Sequence, residues 1–218
     1  FYNPSNMLLV ISGEFEPVRN AIKQNHPYNI LLYVTGTSDY FGPPELVRLV
    51  DAEPVFVECP ESAEFKYTVE ALEAAITDKT KAIIYSSPCN PSGSVYTKAE
   101  LQDLATVLAK HPNIIIISDE IYEHIVYGEK NVSIASFPEV YNQTVTVNGL
   151  AKAFAMTGWR IGFIGGPAWL AKACETLQGQ VTSGTNAIAQ RAAITALEAD
   201  PSSVKYMIDA FAERRELM

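Results

Sequence analysis

The chain has 218 residues, 48% hydrophobic and 19% charged, and its 16 Lys and Arg against 25 Asp and Glu give a formal net charge of −9. That length suits one good core with extensions, and the acidic balance argues against sequence-independent binding to nucleic acid or to an anionic membrane, both of which want basic surface. The three cysteines, Cys59, Cys89 and Cys174, lack the paired spacing of a zinc site or disulfide framework and fit a reducing cytoplasm.

Neither a basic segment leading into an apolar core nor an apolar run of the roughly 18 to 20 residues that span a bilayer is present, so no signal peptide or membrane span is expected. Short apolar runs predict strands at Met7 to Ile11, Ile30 to Thr35, Pro54 to Cys59, Lys81 to Ser86, Asn113 to Ser118, Thr144 to Asn148 and Arg160 to Gly165. Between them, Thr68 to Thr77 and Thr97 to Ala109 space their apolar residues as one face of a helix. Thr68 stands at an N-cap position, and Thr97 with Glu100 makes a capping box. The last stretch reads as all helical: Ala168 to Gln180, Asn186 to Ala199, then Pro201 in a first turn leading to Met218. Strands alternating with helices indicate βαβ units and a mostly parallel sheet. The histidines His26, His111 and His124 are scattered and suggest no metal.

Three segments carry chemistry. Ser86-Ser87-Pro88-Cys89-Asn90-Pro91-Ser92-Gly93 leaves the end of one predicted strand, and Ser118-Asp119-Glu120-Ile121-Tyr122 leaves the end of another. In open α/β sheets ligands collect at the carboxyl ends of the strands, so these turns should share an edge. The third segment, Asn148 to Gly162, places Lys152 among small apolar residues eight positions before Arg160. A desolvated lysine loses its proton more easily and becomes a Schiff-base amine. Arginine keeps its charge and offers a planar fork to phosphate. Each residue also has an ordinary alternative: a surface lysine, a solvated arginine, an N-cap for Asp119, a turn residue for Asn90, core filling for Tyr122.

Together, in this order and spacing, the segments Ser87 to Gly93, Ser118 to His124 and Lys152 to Gly162 resemble the class I pyridoxal-phosphate-dependent aminotransferases of fold type I, and among them the bacterial aspartate aminotransferase-like group. The resemblance runs from about Glu45 to Met218 and is faint before that. It implies an α/β three-layer sandwich with a mostly parallel seven-stranded sheet, the large domain of such enzymes. Residues 1–200 would form the cofactor-binding large domain, atypical over 1–44, and residues 201–218 the start of the helix leading to a small domain absent from this chain.

The resemblance also implies roles. Lys152 would hold pyridoxal 5'-phosphate as a Schiff base and, as the released amine, move the substrate's Cα proton. Asp119 would keep the pyridine nitrogen protonated, Tyr122 and Asn90 would reach the cofactor's phenolic oxygen, and Arg160 would clamp the phosphate, with Gly158 and Gly162 beside it suggesting close backbone approach. Tyr40 is the candidate for an aromatic ring stacked on the pyridine, though an aromatic beside a Gly-Pro-Pro turn is more often a packing residue. The implied reaction moves an amino group between an amino acid, aspartate by the group resembled, and a 2-oxo acid in a ping-pong scheme, in a cytoplasmic homodimer. A lyase or synthase of the same fold and a noncatalytic or truncated domain stay open beside it.

The chain departs from the pattern in two places. Ala151 and Gly149 stand where the family usually carries hydroxyl residues. Val10 to Pro17 occupies the place of a Gly-rich phosphate cup, and its Glu14 and Glu16 oppose an anion there.

Overall fold

A computed structural model of the chain describes residues 31–33, 47–48, 50–128 and 130–217, with residues 31–33 and 201 described by backbone alone. The strand expected over Met7 to Ile11, the cup residues Glu14 and Glu16, and Tyr40 lie outside the described residues.

Six strands appear among the described residues: β1 (Leu31–Tyr33), β2 (Pro54–Phe56), β3 (Ala82–Ser86), β4 (Ile115–Asp119), β5 (Thr144–Gly149) and β6 (Gly162–Gly165). They form one sheet in the order β2-β1-β3-β4-β5-β6. All neighbours are parallel except β5 and β6, which pair antiparallel. Among the same residues five α-helices accompany them: α1 (Val69–Ala75), α2 (Lys98–Leu108), α3 (Ala168–Val181), α4 (Ala187–Glu198) and α5 (Lys205–Glu216).

A parallel sheet with helices on both faces needs apolar residues at successive positions, because neither face meets water. The run from Ile114 to Ile117 supplies them. Ile114 and Ile116 join Ile83 and Tyr85 against Leu72 of α1 and Leu101, Leu104 and Leu108 of α2. Ile115 and Val147 turn the other way and pack with Val145 and Ile164 against Leu170 and Cys174 of α3. The result is helix, sheet, helix in three layers. A third cluster gathers Leu150, Met156, Ile161 and Phe163 beneath Ala189 and Ala193 of α4.

The caps follow the sequence. Thr68 accepts the Ala71 N–H at 3.2 Å, and Thr97 with Glu100 closes the full box, the carboxylate taking the Thr97 N–H at 2.6 Å. Several boundaries differ from expectation: the strand expected to reach Cys59 ends at Phe56, the one expected from Asn113 begins at Ile115, and two others have a local backbone cause. The strand expected from Arg160 begins at Gly162, because Arg160 has φ 51° and closes a 3₁₀ turn over Thr157–Trp159; left-handed backbone cannot continue into a strand. The helix expected from Pro201 opens instead as a 3₁₀ turn over Pro201–Val204, where the Asp200 side chain accepts the Ser202 N–H, and α5 starts only at Lys205. Among the described residues no helix is long and apolar enough to cross a membrane.

Candidate active site

Ser86 and Asp119 pair across β3 and β4, and Asp119 pairs in turn with Val147 of β5. Strands that end level release their following turns at one edge of the sheet. The turn after β3 is tied on by the Ser87 N–H to the Asp119 carbonyl, and the turn after β4 by the Glu120 N–H to the Val147 carbonyl. Asn90, Tyr122 and Lys152 ride on the three turns that leave this edge.

Their side chains meet. Asn90 Nδ2 donates to the Tyr122 hydroxyl at 3.4 Å, and Lys152 Nζ stands 5.6 Å from the centre of the Tyr122 ring. Asp119 sits at the strand end, its Oδ1 accepting the Ile121 N–H at 3.2 Å. Burial pushes the Asp119 carboxyl above the ordinary aspartate value, while the Ile121 N–H and the Lys152 charge pull it back down. A partly desolvated carboxylate of this kind favours a cationic partner. Arg160 is not joined to this group by a hydrogen bond or ion pair. It lies exposed on the turn entering β6, one guanidinium nitrogen donating to the Thr157 carbonyl at 2.9 Å.

Of the two glycines beside Arg160, only one shows close approach. A Cβ on Gly162 would lie 3.1 Å from the Asn148 carbonyl oxygen, whereas one on Gly158 would meet open space. Gly158 therefore gives no support to a crowded phosphate site.

Three polar residues around the site carry no expectation from the motifs. Glu120 is 2% exposed and accepts the hydroxyls of Ser118 at 2.8 Å and Ser133 at 2.7 Å. Burial pushes its carboxyl up to about 7; the two serines oppose the shift, and Glu123 and Asp119 add to it. Asn148, at the end of β5, donates to Glu123 Oε1 at 2.7 Å and accepts the Gly149 N–H at 2.7 Å. The alternation Ile114, Ile116, Ser118, Glu120 was the available signal for Glu120, since every second residue of a strand faces the same way. Nothing local in the sequence marks Asn148 as a partner of Glu123, 25 residues away.

A cavity of about 620 Å³ lies elsewhere, lined in part by Ser62, Glu64, Lys66, Thr68, Glu100 and Asp103. Its lysine is already answered by Glu64 at 2.8 Å and Glu100 at 2.9 Å, so the cavity presents no free cation and contains none of the motif residues.

The family profile of aminotransferase class I and II matches residues 40–218, and the chain belongs to that family. It is 45% identical over 179 residues to a bifunctional aspartate aminotransferase and glutamate/aspartate-prephenate aminotransferase of Petunia hybrida, a match covering 80% of this chain and 37% of the relative. It is 46% identical over 177 residues to an aspartate/prephenate aminotransferase of Nitrosomonas europaea, covering 80% of this chain and 45% of that one. Among solved structures, the aspartate aminotransferase of Rhizobium meliloti superposes with a TM-score of 0.88 at 38% identity, over 97% of this chain and 53% of that one. The aromatic aminotransferase of Pyrococcus horikoshii superposes with a TM-score of 0.87 at 34% identity, over 99% and 58%. The chain thus spans well under two thirds of the proteins it matches.

Proposed function

We propose that this chain is the cofactor-binding portion of a pyridoxal-phosphate-dependent aminotransferase that moves an amino group between aspartate and a 2-oxo acid in a ping-pong cycle. The observation that carries the reading is the meeting of Lys152, Tyr122 and Asn90 at the same sheet edge as Asp119. The relatives are named for aspartate and prephenate transamination, which supports a dicarboxylic amino acid as donor. The reading includes the division into a large domain over residues 1–200 and a connecting helix over 201–218, a homodimeric assembly, and a cytoplasmic setting in keeping with three free thiols.

The residues fit the cofactor. Pyridoxal phosphate supplies, when bound, an aldehyde that exchanges amines and a ring that withdraws electrons from the substrate's Cα. Lys152 would hold that aldehyde covalently; once displaced by the substrate's amine, its free amino group would take the proton from Cα and give it to the former aldehyde carbon. Asp119 would keep a proton on the ring nitrogen, and the burial that raises its own carboxyl is what makes a pyridinium a favourable neighbour. Tyr122 and Asn90, already hydrogen-bonded to each other, would donate to the phenolic oxygen. Arg160 would swing its fork to the phosphate, with one donor engaged on Thr157 to fix its stem. Tyr40 would stack on the ring face.

Incubation with pyridoxal phosphate, reduction with borohydride and peptide mapping test the reading. Label is expected on Lys152 and lost in Lys152→Ala; label confined to other lysines would overturn it. Amino-group transfer from aspartate to a 2-oxo acid, against release of ammonia or a cleaved side chain, separates a transferase from a lyase of the same fold.

A further inference from the structure

The Tyr122 phenol can serve the site only if the turn that carries it keeps a fixed height relative to Lys152. That turn runs from Glu120 to Ile125 and is closed by the Glu123 N–H to the Glu120 carbonyl at 2.9 Å and the Ile125 N–H to the Tyr122 carbonyl at 2.8 Å. Neither bond ties it to the strand that delivers Lys152. One tie is the Glu120 N–H to the Val147 carbonyl, at the start of the turn. A second is a side-chain bond beyond Tyr122: Asn148 Nδ2 to Glu123 Oε1 at 2.7 Å.

Asn148 is 4% exposed, and both ends of its amide are committed. Its oxygen takes the Gly149 N–H, which orients the backbone just where β5 gives way to the lysine turn, and its nitrogen reaches Glu123. One amide therefore spans the segment bearing Lys152 and the segment bearing Tyr122. The charged acceptor makes this hydrogen bond stronger than a neutral one. The residues on either side of Tyr122 in the turn are themselves anchored, Glu120 on Ser118 and Ser133 and Glu123 on Asn148. His124 Nε2 also lies 3.4 Å from Glu123 Oε1.

We propose that Asn148 and Glu123 are positioning residues, their hydrogen bond setting the Tyr122 phenol against Lys152 and Asn90. The catalytic meaning of that placement rests on the aminotransferase reading, but the placement itself does not, and the two can be tested apart.

The pair permits a polarity swap. Asn148→Asp sets two carboxylates against each other, and Glu123→Ala removes the acceptor. The double variant Asn148→Asp/Glu123→Gln restores a donor and an acceptor in the opposite direction, while the second oxygen of the introduced carboxylate still accepts the Gly149 N–H.

In the chain without cofactor, labelled with 3-fluorotyrosine, the fluorine resonance of residue 122 is assigned by its disappearance in Tyr122→Phe. It is expected to shift in both single variants and to return in the swap. In the chain loaded with pyridoxal phosphate, the pH midpoint of the visible band is expected to move by about half a unit or more in the single variants and to recover in the swap. A resonance that stays in place in Glu123→Ala while the thermal midpoint falls would reduce the pair to scaffolding and overturn the proposal, as would a swap that folds normally without restoring the resonance. Failure of the wild-type chain to form a visible band would count against the aminotransferase reading alone, because the fluorine measurement needs no cofactor.

Discussion

Gly149 and Gly162 face each other across β5 and β6 so closely that a Cβ built on Gly149 would lie 3.0 Å from the Gly162 Cα and 3.1 Å from the Ile161 carbonyl oxygen. This gives a physical reason for one departure from the family pattern, in which a hydroxyl residue commonly stands three positions before the lysine. Here the antiparallel partner strand occupies that space with backbone, which cannot swing aside as a side chain can. Ile121 Cδ1, at 3.3 Å, closes the third side.

Gly149→Ser is therefore expected to destabilise the chain by about 1 to 3 kcal/mol, the usual range for overpacking. Urea unfolding of the two proteins measures it. The substitution should also lower the yield of Lys152 labelling, because the displaced β5 end carries the lysine turn. A Gly149→Ser chain as stable as the wild type would show that β6 can retreat.

Glu120 makes stability depend on pH in an unusual direction. The folded chain holds its proton up to about 7, while the ordinary glutamate value is 4.5. Stability from this group is thus full below 4.5 and is lost as the pH rises towards 7, by roughly 3 kcal/mol for a shift of that size. Glu120→Gln keeps the acceptor oxygen that both serines use and removes the titration. Unfolding free energies at several pH values should show the Gln variant gaining on the wild type between pH 5 and about 8, with little difference at the acid end. A gap that does not change with pH would refute the assignment.

Much of this architecture was legible in the sequence because strands and caps are local. The apolar runs before Ser86 and Asp119 locate β3 and β4, and the Thr97/Glu100 box fixes the start of α2. What was hidden depends on backbone handedness or on distant partners. Arg160 reads as the first residue of a strand by composition, but its positive φ places it in a turn. Pro201 fits the first turn of a helix, yet the Asp200 side chain and an i to i+3 pattern tighten that turn into 3₁₀ geometry. Lys66 gives no sign in sequence that it will be buried between Glu64 and Glu100, because one partner lies 34 residues away and the buried setting comes from α1 packing on α2.

Glu100 serves two structures at once. One of its oxygens completes the α2 cap on the Thr97 N–H, and both receive Lys66 Nζ, at 2.9 and 3.1 Å. Burial pushes its carboxyl up, but Lys66 and the Thr97 bonds outweigh that and hold it below the usual glutamate range. Glu100→Ala should lose about 2 kcal/mol, combining a cap of ~1 with a charge-assisted bond of similar size. Glu100→Gln should lose less, since glutamine can still close the box. Thermal unfolding ranks the three proteins, and equal losses for Gln and Ala would mean that the ion pair alone matters.

Two buried tyrosines should respond to the same substitution with opposite signs. Tyr85 meets Tyr67 and Tyr96 edge to face, and Tyr67 is tilted against Tyr96, with ring centres 5.4 to 6.2 Å apart. The Tyr96 hydroxyl accepts the Tyr67 backbone N–H at 2.9 Å, whereas the Tyr67 hydroxyl is buried without a hydrogen-bond partner among the described residues. Tyr96→Phe strands a buried amide, which costs about 1 to 3 kcal/mol. Tyr67→Phe removes a polar group that desolvation already penalises, and should be neutral or stabilising by up to about 1 kcal/mol. Both variants keep the ring and its packing, so the aromatic contribution cancels in the comparison. Equilibrium unfolding of the two single variants tests this: a destabilised Tyr67→Phe would reveal a partner for that hydroxyl, and a harmless Tyr96→Phe would mean that the Tyr67 amide finds another acceptor.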